Sequence, residues 1–149
     1  MGKIISISNQ KGGVGKTTTA VNLAASLAVA EKRVLLVDLD PQGNATSGVG
    51  VEPRDGTSYE FLLGSSSLTA CIQNTQIPYM DILTADRRLA GAEVELVNQD
   101  RREHFLRQAL AEPIERYDYV LIDTPPSLGL LTFNVLTAAN SVLIPIQCE

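Results

Sequence analysis

Gly15-Lys16-Thr17 is the tripeptide that most plainly suits phosphate chemistry. It closes the run Asn9-Gln10-Lys11-Gly12-Gly13-Val14-Gly15-Lys16-Thr17-Thr18. Small residues let a backbone wrap close to a polyphosphate, with successive N–H groups pointing inward as an anion nest. A helix that starts here adds unpaired N–H groups and the positive end of its dipole. Lys16 can then reach the outer phosphates, and the Thr17 hydroxyl suits Mg²⁺. Acidic residues elsewhere complement the loop. Asp38 and Asp40 follow the apolar run Val34–Val37, and Asp123 follows Tyr119-Val120-Leu121-Ile122. Carboxylates at the carboxyl ends of strands face the crevice in which open α/β sheets bind ligands. Asp123 there would hold Mg²⁺ across from Thr17, through water.

The loop departs from the usual G-x-x-x-x-G-K-[ST] pattern, with Gln10 in place of the first glycine and an extra Lys11 before Gly12-Gly13. This K-G-G-x-G-K-[ST] form resembles the deviant Walker A loop of the ParA/MinD family of ATPases. The resemblance implies that Lys11, Gly12, Gly13, Val14, Gly15, Lys16, Thr17 and Thr18 bind ATP. It also implies that Lys11 crosses a dimer interface to the partner's nucleotide. The string Asp38-Leu39-Asp40-Pro41-Gln42-Gly43-Asn44-Ala45-Thr46 looks like the switch I segment of ParA/Soj-type partition ATPases. In that likeness Asp40 orients or activates the attacking water and Asp38 supports the magnesium site. Asp123-Thr124-Pro125-Pro126-Ser127 resembles the family's switch II, which couples the nucleotide state to the dimer face.

The strands and helices around these residues follow from hydrophobic pattern. The spacing predicts strands at Lys3–Ser8, Arg33–Val37, Met80–Leu83, Tyr117–Ile122 and Ser141–Ile146. The run Val34–Val37 has no polar alternation, as expected of a central parallel strand covered on both faces. A helix over Lys16–Ala30 is apolar nearly all round and so predicted to be largely covered. Further helices are expected near Thr57–Leu63, Asp86–Val97 and Leu130–Ala139. One more, ending at Pro113, would be capped by Asp100 with Glu103 as a capping-box partner. Between Ser47 and Asp81 the pattern weakens, and Ser65–Gln76 has no assignable chemistry.

At 149 residues the chain reads as one domain, long enough to bury ~70% of its unfolded surface. Its 44% apolar and 19% charged content is that of a soluble globular protein. No run approaches the ~20 apolar residues that span a bilayer. Without a signal-peptide pattern, the cytoplasm is the expected compartment. A net charge of −5 argues against a dedicated nucleic-acid surface. Cys71 and Cys148 lack metal-ligand spacing and read as reduced and incidental. Arg87, Arg88, Arg101, Arg102 and Arg107, interspersed with glutamates, read as a solvated helix face rather than a phosphate-reading patch. His104, the single histidine, reads as a surface residue.

The expected fold is an α/β P-loop NTPase with a mostly parallel doubly wound sheet and helices on both faces. A final strand without a covering helix suggests a truncated or split product of a ParA-like gene. The function implied by the resemblance is Mg-ATP binding and hydrolysis in chromosome or plasmid partition. Lys11, Lys16 and Asp40 are the candidate catalytic residues; Thr17, Asp38 and Asp123 are the candidate metal residues. Implied partners are a second copy, a ParB-like centromere-binding protein and, for a full-length protein, non-specific DNA on the nucleoid, with no membrane. Three alternatives stand beside it: a MinD-like membrane-associated division regulator, an ATP-dependent amidoligase or carboxylate-activating synthetase, and a nucleotide-binding remnant without turnover.

Overall fold

The computed structural model describes residues 2–9 and 15–146. Five strands lie parallel in one sheet: β1 (Lys3–Ile7), β2 (Val34–Asp38), β4 (Met80–Leu83), β5 (Tyr119–Asp123) and β6 (Ser141–Leu143). A two-residue strand, β3 (Gln73–Asn74), adds an antiparallel edge to β4. The order across the sheet is β3-β4-β2-β5-β1-β6. β3 falls in the segment without a sequence signal, because two residues are too few for a periodicity to show. β6 stops at Leu143 instead of running to Ile146, while Asn9 Nδ2 donates to the Pro145 carbonyl at 2.7 Å.

Every residue of β2 is buried, which is why its sequence has no polar alternation. Its side chains divide between two cores. Leu35 and Val37 pack with Val120 and Ile122 on one face, while Val34 and Leu36 pack with Leu121, Ile82 and Ile7 on the other. Burying each such side chain contributes ~1.5–3 kcal/mol, so the central strands anchor both layers.

Helix α1 (Lys16–Val29) covers the second face with α2 (Asn44–Gly48). Ala20, Ala24 and Ala28 form its buried stripe at a spacing of four, and their small side chains let the helix lie close to the strands. The rest of α1 is only partly covered, and Val29 stays 77% exposed. An apolar composition all round therefore overstated its burial. The first face carries α3 (Ser58–Leu63), α4 (Leu68–Cys71), α5 (Leu89–Leu96), α6 (Phe105–Leu110) and α7 (Leu130–Ala138).

Local signals explain some boundaries and miss others. Thr57 and Glu60 form a capping box at the start of α3, and Gly64 ends it in the left-handed region at φ 76°. Asp100 does not cap α6. Arg101 instead turns left-handed at φ 57°, and a 3₁₀ turn over Arg102–His104 leads into the helix. The helix expected from Asp86 begins at Leu89. Asp86 accepts hydrogen bonds from the Arg88 backbone and guanidinium, holding the chain in a turn just before it.

Candidate functional site

The carboxyl ends of β1, β2 and β5 lie side by side. Ile7 and Asp38 are both register partners of Asp123, so the central strand's last residue sits between its two neighbours' ends. Beyond β1 the chain returns as α1, whose N-cap Gly15 adopts φ 78°. That left-handed turn strongly favours glycine, and it aims the first helical residues, Lys16 and Thr17, back across the strand ends.

Four predicted site residues converge there. The Lys16 ammonium contacts Asp123 Oδ1 and lies 3.8 Å from Asp40 Oδ2. Thr17 Oγ1 donates to Asp123 Oδ2 at 2.9 Å. Asp123 is fully buried and Lys16 and Asp40 nearly so, which makes the contacts electrostatically consequential. Burial raises the Asp123 carboxyl above its ordinary value, although Lys16 and the Thr17 hydroxyl act to lower it. Asp40 adds to the rise by its negative charge. Two carboxylates, Asp40 and Asp123, thus face one ammonium. The excess of hard oxygen donors suits a divalent cation, with the Thr17 hydroxyl and Asp123 best placed to hold it. Among the described residues no group of three or more His, Cys, Asp or Glu side chains forms a ready metal cage.

Asp38 stands differently. Its Oδ2 accepts from the Thr46 backbone N–H at 2.9 Å and the Thr46 hydroxyl at 2.8 Å, and its Oδ1 from the Asp40 N–H at 3.1 Å. Burial, with the charge of Asp123, pushes its carboxyl up to about 6 against those hydrogen bonds. Asp40 is held by its own turn: Gln42 N–H donates to its Oδ1 at 3.0 Å, and Gly43 N–H to its carbonyl at 2.9 Å. The segment read as a single loop therefore turns helical at Asn44, where α2 begins behind a left-handed Gly43.

Thr18 is exposed on the first turn of α1, outside the cluster of contacts. Lys11, Gly12, Gly13 and Val14 lie outside the described residues, as does Cys148. Cys71 is buried and unpaired. His104 is a surface residue, 3.9 Å from Glu103. Arg88 is engaged by Asp86 and Glu60 and stacks on Tyr59, while Arg102 donates to the Val97 carbonyl.

Two groups near the site have no clear signature in the sequence. Ser6, Ser8 and Thr124 join their hydroxyls behind the strand ends, with Ser8 Oγ donating to Thr124 Oγ1 at 3.1 Å. Thr46, Ser58 and Ala85 are tied to the end of β2: Ser58 Oγ donates to the Asp38 carbonyl at 2.8 Å, and Ala85 N–H to Thr46 Oγ1 at 3.0 Å. The only sequence hint of the second group is a buried-type Asp followed eight residues later by a hydroxyl.

Known proteins resemble this chain along its whole length. A family model described as an AAA domain (AAA_31) matches residues 2–149. The chain is 60% identical, over its whole length, to the chromosome partitioning protein ParA of Myxococcus xanthus, of which it spans 53%. It is 56% identical to the sporulation initiation inhibitor protein Soj of Bacillus subtilis, again over its whole length, and spans 60% of that protein. A solved structure of a cobyrinic acid a,c-diamide synthase from Mycobacterium smegmatis, with bound ATP analogue and magnesium, superposes with a TM-score of 0.96. It is 45% identical and covers all of this chain, which spans 62% of it. The chain is thus a little over half the length of the two curated relatives.

Proposed function

This chain belongs to the AAA domain family, and on that footing we propose that it binds and hydrolyses Mg-ATP as the nucleotide switch of a chromosome or plasmid partition system. One observation carries the proposal: Lys16 and Thr17, on the first turn of α1, meet Asp123 from β5 and Asp40 beyond β2 in a single cluster. Phosphate charge arriving at the helix start competes with the two carboxylates for the Lys16 ammonium. Thr17 and Asp123 offer the oxygens for magnesium, which when bound offsets charge on the phosphates. Asp40, freed of Lys16 on its Oδ2, is the carboxylate available to orient a water and accept its proton. Asp38 supports this set indirectly, because its oxygens are engaged by Thr46 and Asp40.

The names of the ParA and Soj relatives support the partition role. In this reading the active form is an ATP-bound homodimer in which Lys11 reaches the opposite nucleotide. A ParB-like protein stimulates hydrolysis, and the longer protein binds non-specific DNA on the nucleoid. Among the described residues no helix is long and apolar enough to cross a membrane. Replacing Lys16 by Ala should weaken Mg-ATP binding at least tenfold, ~1.4 kcal/mol. Calorimetry returning the wild-type affinity would remove the phosphate-loop assignment. For the dimer, sedimentation should show association with ATP, none with ADP, and none in Lys11→Ala with either nucleotide. A Lys11→Ala protein that still dimerises would leave that lysine acting on its own subunit.

The synthase structure favours a second reading, a metabolic enzyme that uses the same loop to activate a carboxylate. ATP consumption separates the two. A partition switch responds to DNA and a ParB-like protein, whereas a synthase turns over only with cobyrinic acid and an amine donor present.

A further inference from the structure

We infer that Thr46 is a positioning residue for ATP hydrolysis, holding Asp40 at its working place through the buried Asp38 carboxylate. The inference rests on the proposed role of Asp40. Asp38 ties both ends of one loop: its Oδ1 receives the Asp40 N–H at the loop's start, and its Oδ2 receives the Thr46 N–H and hydroxyl at its far end. Between those anchors the chain makes the Asp40 turn and the left-handed Gly43. Thr46 gives the Asp38 carboxylate a side-chain hydrogen bond, and its hydroxyl does a second task. Thr46 Oγ1 accepts the Ala85 N–H at 3.0 Å, in the connection that leaves β4. Neighbouring groups complete a buried frame. Ser58 Oγ donates to the Asp38 carbonyl at 2.8 Å, and Ser58 N–H donates to the Thr84 carbonyl at 2.8 Å.

Asp38, Thr46, Ser58 and Thr84 are each at most 3% exposed, so these bonds are not exchanged freely with water. A hydroxyl is needed because it donates to the carboxylate and accepts from Ala85 at once. Valine has the same shape and can do neither. Without the hydroxyl, one of the three hydrogen bonds on the Asp38 carboxylate is lost and the Ala85 N–H is buried unpaired. The Asp40 carboxylate lies at the other end of that clamp, 3.8 Å from Lys16. Misplacing a catalytic group by about 1 Å can cost ~10²-fold in rate.

The test uses the full-length protein and two substitutions, with turnover and hydrogen exchange measured on each. Thr46→Val should lower kcat by about tenfold or more while the KM for ATP stays within about twofold, because the phosphate-binding turn is untouched. Thr46→Ser restores the hydroxyl and should return kcat to within about twofold of wild type. Amide exchange over residues 39–46 should speed up in Thr46→Val and not in Thr46→Ser. A Thr46→Val protein with unchanged kcat, or a serine variant as damaged as the valine, overturns the inference. So does a KM that rises as far as kcat falls. If the wild type hydrolyses no ATP, the proposed function fails by itself. Exchange then decides the clamp, and unchanged protection of residues 39–46 in Thr46→Val would dismiss it.

Discussion

The ends of β2 and β5 carry the same residue type at the same height in the sheet, yet the two aspartates are used in opposite ways. Asp38 and Asp123 are register partners, and both are fully buried. Asp123 faces groups from another element, the ammonium of Lys16 and the hydroxyl of Thr17, which a ligand can draw away. Asp38 faces donors from its own loop, two of them backbone N–H groups that nothing replaces. A buried carboxylate must find partners, because desolvation costs several kcal/mol otherwise. Which partners it finds decides whether it is free for ligand chemistry or spent on holding the chain. Asp40, two residues beyond the spent carboxylate, is the one at the β2 end with an oxygen turned toward Lys16.

The largest effect that tests this contrast belongs to Asp40. Asp40→Ala should cut ATP hydrolysis by ~100-fold or more while nucleotide binding changes little, which places turnover at the β2 end and binding at the β5 end. Equal losses of both would merge the two ends into one metal-binding unit. A smaller effect concerns Asp38. In Asp38→Asn one amide oxygen can serve only part of the three-donor set, and the amide NH₂ faces another donor. The expected cost is ~1–3 kcal/mol of stability, with nucleotide affinity within a few-fold. A stable variant that has lost its magnesium-dependent affinity would make Asp38 a direct ligand instead.

That same variant reads the smallest effect, the dependence on pH. The Asp38 carboxyl is pushed from 3.8 up to about 6, mainly by burial. The folded chain therefore holds this proton more tightly than the unfolded chain. Its contribution to stability is full below the unfolded value and is lost as pH rises through about 6. Melting followed from about pH 4 to 7 without magnesium should show the wild type's margin over Asp38→Asn narrowing. A margin that widens with pH would mean that the Thr46 hydrogen bonds outweigh burial.

Some of this arrangement is legible in the amino-acid sequence. Gly15-Lys16-Thr17 and the two apolar runs ending in Asp38 and Asp123 carry their meaning locally, because a phosphate turn and a buried parallel strand are each made by contiguous residues. The capping box of Thr57 and Glu60 is local too. The Asp100 cap is equally plausible as a pattern and is absent, since Arg101 turns left-handed ahead of the helix. Propensity is a weak prior once tertiary contacts choose among turns. β3 and the divided roles of the three aspartates have no periodicity to announce them.

The residues suited to a polyphosphate, and the central place of the Val34–Val37 strand, were readable from residue type alone, because each follows from a short contiguous stretch. That Asp123 meets Lys16 while Asp38 is enclosed by Thr46 comes from the folded arrangement. Those partners come from elements 107 residues apart in one case and 8 in the other. The parallel register that sets the strand ends level is a property of the sheet, and no single segment of the chain contains it.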